Sequence, residues 1–430
     1  MLPEGRGARV NRTIRRHGSV DLIVAAPSSK SYTHRAFIGG ALARGTTVIR
    51  HPLDAGDTRL TAAALRTLGA DIVYEPDEVQ IAGTGGTLSC PEGTTLDLGN
   101  SGTSLRLITS LALLCDHPVQ LTGNKRMQER PIGPLADAIL QIGGTVTYTV
   151  KPGYPPLRVG GHLSGGPVTI DGSASSQYIS SLLLVAPYAE NEMTVTVAGM
   201  PASRSYLDIT VDVMRRFGAQ VTQEKDSTFT ISNRHRYAGR EYMVEGDYSS
   251  ASYFFAIAAI CGGRVTVTGL APASVQGDRR FLDALQAMGC AVSYGKDSVT
   301  VERAGPLAGI TADMSSSPDT VQTLCVVAAV AESPSTITGI SHLKFKESDR
   351  ISTTAENLRR LGGDVQAADD RIRIRPAPLH AGTIDPADDH RTAMSFAVLG
   401  LGIGGITITN TECVDKSFPG FWQSLAGVLQ

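Results

Sequence analysis

One pattern constrains this 430-residue chain more than any other: a helix-like stretch, a glycine and a short alternating run recur five times. The copies are LTAAALRTLGADIVY (60–74), LADAILQIGGTVTY (135–148), TVDVMRRFGAQVTQ (210–223), FLDALQAMGCAVSY (281–294) and TAENLRRLGGDVQA (354–367). Their turn glycines, Gly69, Gly143, Gly218, Gly289 and Gly362, stand 71 to 75 residues apart. Apolar residues lie three and four apart before each glycine and alternate after it. The period therefore switches from helix to strand at a helix-capping glycine. Self-similarity at a fixed period marks a repeated supersecondary unit.

Two further features recur in step. A short strand ending in Gly or Asn precedes each copy: PVQLTG (118–123), VTVAG (195–199), VTVTG (265–269), TITG (336–339) and ITITN (406–410), with TTVIR (46–50) the weakest. Upstream of that, a strand runs into a small polar cluster opening an apolar helix, at 20–31, 94–104, 168–177, 242–252, 309–320 and 382–392. Ser, Thr, Asn and Asp at such starts are helix N-caps. Each unit reads βαβαββ. Six openings but five glycine turns leave the sixth unit incomplete, and residues 1–23 are expected to complete it. The expectation is an α/β protein of two pseudo-symmetric lobes with three units each. One lobe spans 24–241; the other spans 242–430 and is completed by 1–23.

The composition narrows the function. Net charge is −2, from 39 basic and 41 acidic side chains, and aromatics are 5%. No global basic field or aromatic interleaving exists to hold nucleic acid or an anionic membrane. Six scattered cysteines without CxxC or CxxH spacing argue against zinc and against a disulfide framework. They read as reduced residues of a cytoplasmic protein. The first twenty residues carry five arginines and no apolar run, unlike a secretory signal. Even an apolar run such as 324–331 is too short to span a membrane.

An anionic small molecule is the remaining class of ligand. Each polar cluster presents the free N–H groups of a helix start, with the dipole adding positive charge. Four segments add basic side chains: SSKSYTHR with Lys30 and Arg35, GNKRMQERPIG with Lys125, Arg126 and Arg130, LKFKESDR with Lys344, Lys346, Glu347 and Arg350, and DDHRTAM with VDKSFPG, supplying His390, Arg391 and Lys416. Arginine forks suit carboxylate and phosphate. Several anionic groups bound together fit this pattern. A non-catalytic anion-binding repeat protein fits it as well.

SSKSYTHR, LGNSGTSLR, TGNKRMQERPIG, DGSASSQY, GDYSSASYF, SSPDT, KFKESDR, DDHR and DKSFP occur in one order over the whole chain. Together they resemble the 5-enolpyruvylshikimate-3-phosphate synthases, in the enolpyruvyl transferase family. The resemblance implies an inside-out α/β barrel in each lobe and an active site in the inter-lobe cleft. It implies transfer of the enolpyruvyl group of phosphoenolpyruvate to the 5-hydroxyl of shikimate 3-phosphate, with release of phosphate. Neither metal nor organic cofactor is implied, and a cytoplasmic monomer is. By the same resemblance, Ser175, Ser176 and Ser203, with Lys346, hold the shikimate phosphate, while Ser31, Arg35, Tyr206 and Asp319 meet the rest of that substrate. Lys30, Asn100, Gly102, Arg130, Gln177, Arg350, Arg391 and Lys416 surround phosphoenolpyruvate. Asp319 is expected to serve the hydroxyl proton, and Glu347 with Lys30 the methylene carbon. His342, where many relatives have Asn, and His390 are further candidates. Glyphosate is expected to compete with phosphoenolpyruvate, because Gly102 leaves room for it. Leu107 stands where many relatives have Pro, and Arg204-Ser205 where many have Lys-Pro. The sister enzymes acting on UDP-N-acetylglucosamine usually carry a reactive Cys where this chain has Lys125.

Overall fold

The computed structural model describes residues 10–199, 201–224 and 227–428. The chain forms two compact units: Ser28–Glu245 (the first lobe), and Met1–Pro27 with Gly246–Gln430 (the second). Each has its own apolar core. Among the described residues the strands form six sheets, three in each unit.

The second repeat shows the unit in full. Thr95–Asp97 lies parallel to Val119–Thr122, joined through the helix Gly102–Thr109. The helix Gly133–Gln141 then leads into the antiparallel pair Gly144–Tyr148 and Leu157–Gly161. The five turn glycines have φ between +90° and +105°. That region costs a residue with a Cβ energy but is free to glycine, so the helix ends and the strand begins at that point.

The helices that open the repeats are buried on nearly every side. Of Lys30–Leu42, twelve residues are buried, and Tyr248–Cys261 and His390–Ile403 are similar. Helices apolar all round belong inside a core. In the second lobe the three opening helices pack on one another, with the sheets outside them. The second helix of each repeat, such as Ser205–Arg216, has one buried face and one polar face.

The lobe boundaries differ from those expected. Val20–Ala25 pairs along its whole length with Gly263–Thr268, so residues 24–27 belong to the second lobe. Glu241–Met243 pairs with Val48–Arg50, so 242–245 belong to the first. The opening strands of the first and fourth repeats have thus traded sheets. The chain passes between lobes at Pro27–Ser28 and Glu245–Gly246. The completion of the sixth unit is also narrower than residues 1–23. Arg12–Ile14 closes that sheet beside Ile406–Ile408, whereas Val20–Ala25 serves the fourth repeat. Residues 1–9 lie outside the described residues.

Candidate active site

Side-chain capping holds at four of the six opening helices. Ser101, Ser175, Asp247 and Asp389 accept hydrogen bonds from backbone N–H groups of the first turn. Ser29 starts its helix without a side-chain cap. The SSPDT cluster forms a 3-10 turn, Pro318–Thr320, ahead of Val321–Ala328, so Asp319 sits in that turn.

In the first lobe the charged residues converge on these helix starts. Lys30 is 9% exposed and lies 3.4 Å from the carboxylate of Asp57, itself buried. The burial of Arg35 lowers its pKa to about 10, and it remains a cation. It donates to Thr210 Oγ1 at 2.7 Å, to the Ser31 carbonyl at 2.9 Å, and to Ser180 Oγ and the Tyr206 carbonyl at 3.2 Å. Arg35 therefore ties Ser31 and Tyr206 to one point. Ser175 and Ser176, at the start of Ser176–Val185, are nearly buried. So is Ser203, whose φ of +58° is unusual for a residue with a Cβ. Such strained positions cluster at ligand-binding sites.

Gly102, Arg130 and Gln177 form a second group in this lobe. Arg130 is 2% exposed and its guanidinium faces the Asn100 carbonyl at 3.4 Å. A Cβ added to Gly102 would lie 2.4 Å from Arg130 Nη2. The glycine thus makes room for a buried guanidinium. Gln177 accepts from Arg106 Nη1 at 2.8 Å and donates to Thr103 Oγ1 at 2.9 Å. Arg106 also donates to the Pro131 carbonyl and lies over the Tyr178 ring. Nothing in the NSGTSLR motif itself singles out Arg106. It anchors both Gln177 and the loop that carries Arg130.

The second lobe holds a denser network. Arg350, 2% exposed, meets Asp319 Oδ1 at 2.9 Å, Glu347 Oε2 at 2.9 Å and Asp389 Oδ2 at 2.8 Å. Burial opposes its charge, but Asp389, Glu347 and Asp319 outweigh that and hold its pKa above the ordinary value. Arg391 meets Asp319 Oδ2 at 2.6 Å and the Tyr253 hydroxyl at 3.4 Å. Lys416 lies 3.8 Å from Glu347 Oε1. Asp319 is thus clamped by two guanidinium groups, and Glu347 by Arg350 and Lys416. Both carboxylates are thereby favoured as anions. His342 is buried, and desolvation and the Lys346 charge lower its pKa to about 3, so its ring is neutral. His390 is fully buried beside Asp389, with Nδ1 3.9 Å from Oδ1. Asp389, read only as part of DDHR, is both the cap of its helix and a partner of Arg350.

Cys115 is half-buried below Leu111, donating to its carbonyl at 3.7 Å, and burial pushes its thiol up. Lys125 opens the short helix Lys125–Gln128, capped by Asn124. No described helix is long and apolar enough to cross a membrane.

Comparison with known proteins follows the same lines. A family model for EPSP synthase (3-phosphoshikimate 1-carboxyvinyltransferase) matches residues 14–425. A protein of that name from Methanoregula boonei is 61% identical over 97% of this chain and 99% of its own length. One from Methanoculleus marisnigri is 59% identical over 97% of this chain and 98% of its own. One from Serratia proteamaculans is 41% identical over 96% of each. The solved EPSP synthase of Acinetobacter baumannii superposes with a TM-score of 0.81, at 29% identity over 98% of both chains. With the repeat plan, the clamped carboxylates and these matches in agreement, the chain belongs to the EPSP synthase (3-phosphoshikimate 1-carboxyvinyltransferase) family.

Proposed function

We infer that the protein transfers the enolpyruvyl group of phosphoenolpyruvate to shikimate 3-phosphate, in the route to aromatic amino acids, through the residues described above. The observation that carries the residue assignment is the Asp319 carboxylate held between Arg350 and Arg391. Paired guanidinium groups suit the carboxylate and phosphate of phosphoenolpyruvate. When the substrate anion engages them, their grip on Asp319 loosens and leaves it a stronger base.

The chemistry is addition followed by elimination. The acceptor hydroxyl oxygen bonds to C2 of phosphoenolpyruvate, its proton passes to Asp319, and C3 gains a proton to become a methyl group. The methyl then loses a proton, the C2–O–phosphate bond breaks, and phosphate leaves. Lys30 is a cation suited to delivering the C3 proton. Glu347, held as an anion by Arg350 and Lys416, suits taking it back. Such acid–base help is worth about 10²–10⁴ in rate. Ser175, Ser176, Ser203 and Lys346 bind the shikimate phosphate, and Ser31, Arg35 and Tyr206 the remainder of that acceptor. Asn100, Gly102, Arg130, Gln177, Arg350, Arg391 and Lys416 hold phosphoenolpyruvate. His342 acts as a neutral hydrogen-bonding group, and His390 as a buried support for Asp389. Catalysis by a single cytoplasmic chain without a cofactor completes the reading.

The test is phosphate release from phosphoenolpyruvate with either of two acceptors. Release with shikimate 3-phosphate and none with UDP-N-acetylglucosamine is expected. The reverse preference would overturn the acceptor assignment, and no release with either would overturn the reaction.

A further inference from the structure

Asp278 is a buried carboxylate that the reaction as described does not use. It lies in the 3-10 turn Gly277–Arg279 and is 5% exposed. Ser249, from the first turn of Tyr248–Cys261, donates its hydroxyl to Asp278 Oδ2. The adjoining Gly277 carbonyl accepts the hydroxyl of Ser317, the residue that begins the turn carrying Asp319. The two carboxylates thus sit on short turns bonded to each other. Resting on the function inferred above, we propose that Asp278 is a positioning residue for the donor substrate: the proton it holds sets how strongly Arg391 and Arg350 bind phosphoenolpyruvate.

The surroundings explain why that proton matters. From Tyr248–Cys261 and its cap, Asp278 is faced by Asp247, Ser249 and, through Arg391, Tyr253. The Asp319 charge acts on it from the next turn and the Arg391 charge from His390–Ile403. Arg350 stands behind Asp319. On its own element Arg279 donates to the Pro272 carbonyl and lies over Tyr294, while Arg280 and Asp283 are exposed. Burial raises the pKa of Asp278 to about 7, the Asp319 charge adds to the rise, and Arg391 and the Ser249 hydroxyl oppose it. Below that pH Asp278 is neutral and adds no charge to the carboxylates of Asp319, Glu347 and Asp389 that already meet the two arginines. Above it, a further negative charge appears beside Arg391. That charge competes with an incoming anion and repels it. Donor binding is therefore strongest while Asp278 is protonated and weakens as pH rises through 7. By the same linkage, binding the donor takes up a proton.

The experiment is the KM for phosphoenolpyruvate from pH 6 to pH 8.5, measured by phosphate release at saturating shikimate 3-phosphate, for wild type, Asp278→Asn and Ser249→Ala. Ionisation of the substrate's own phosphate affects all three alike, so ratios to wild type remove it. At pH 6 the Asn variant is expected to match wild type in kcat and KM. Toward pH 8.5 the wild-type KM should rise relative to the variant, about tenfold for each pKa unit by which donor and Asp278 are coupled. Ser249→Ala removes a bond that favours the anion, so its inflection should move to higher pH. A KM ratio that stays flat across the range, in active enzymes, would overturn the proposal alone. Equal losses in kcat and both KM values at every pH, with a fall in Tm, would also overturn it, since they mark a merely structural role. Should Asp278→Asn fail to fold, Ser249→Ala decides: an inflection at the wild-type pH refutes the link. A wild type inactive with shikimate 3-phosphate would overturn the underlying reading and the proposal with it.

Discussion

Replacing Gly102 with alanine tests the donor-site assignment through one atom. The new Cβ would lie 2.4 Å from Nη2, 2.6 Å from Cζ and 2.8 Å from Nη1 of Arg130. Carbon contacts settle near 3.5–4.0 Å, so the guanidinium must retreat by roughly 1 Å. Arg130 ends in a flexible stem, and the fold absorbs the shift. Gly102 is the first residue of its helix and does not have a left-handed backbone, so alanine adds no backbone strain and Tm should not fall. Misplacing a substrate-positioning group by about 1 Å costs up to ~10² in rate. We expect kcat/KM for phosphoenolpyruvate to fall roughly 10- to 100-fold, mostly through KM, with KM for shikimate 3-phosphate unchanged. The assay is phosphate release with each substrate varied in turn, alongside thermal melting. An unchanged KM for phosphoenolpyruvate, or equal losses for both substrates with a lower Tm, would refute the reasoning.

Other perturbations have distinct signatures. Asp319→Asn keeps the shape of the carboxylate but removes the base, so kcat should drop ~10²-fold or more while both substrates still bind; wild-type turnover would remove Asp319 from catalysis. Arg350→Ala takes one cation from three carboxylates, and losing one partner of a buried pair costs about 3–5 kcal/mol, so calorimetry should show Tm lower by roughly 10 °C. Glyphosate should inhibit wild type competitively with phosphoenolpyruvate and Gly102→Ala far less; inhibition equal in both would separate the inhibitor from Gly102.

The parts legible in the sequence are those whose cause is local. The turn glycines Gly69, Gly143, Gly218, Gly289 and Gly362 announce themselves because only a left-handed turn separates a period of 3.6 from a period of 2. The strand exchange at Val20–Ala25 and Glu241–Met243 was not legible. Both strands sit before equivalent helices, and parallel partners are chosen by tertiary packing that no local pattern encodes. The basic members of the site stood out by motif, but Asp278 did not. In VQGDRRF an aspartate before arginines looks like any solvated helix start. Only the structure shows it buried against Ser249, on a turn bonded to that of Asp319. Asp57, the partner of Lys30, was hidden in the same way among the small residues of AGDTRL.

Addition followed by elimination, with a proton added to and removed from C3, is the central claim. It is tested most directly by running the reaction in deuterium oxide and reading the vinyl position of the product and of recovered phosphoenolpyruvate by mass spectrometry and NMR. A methyl group formed at C3 and then stripped of one hydrogen leaves deuterium in the vinyl methylene. The account predicts that label, with its rate of appearance reduced in Glu347→Gln. Product formed at the normal rate with an unlabelled methylene would contradict it.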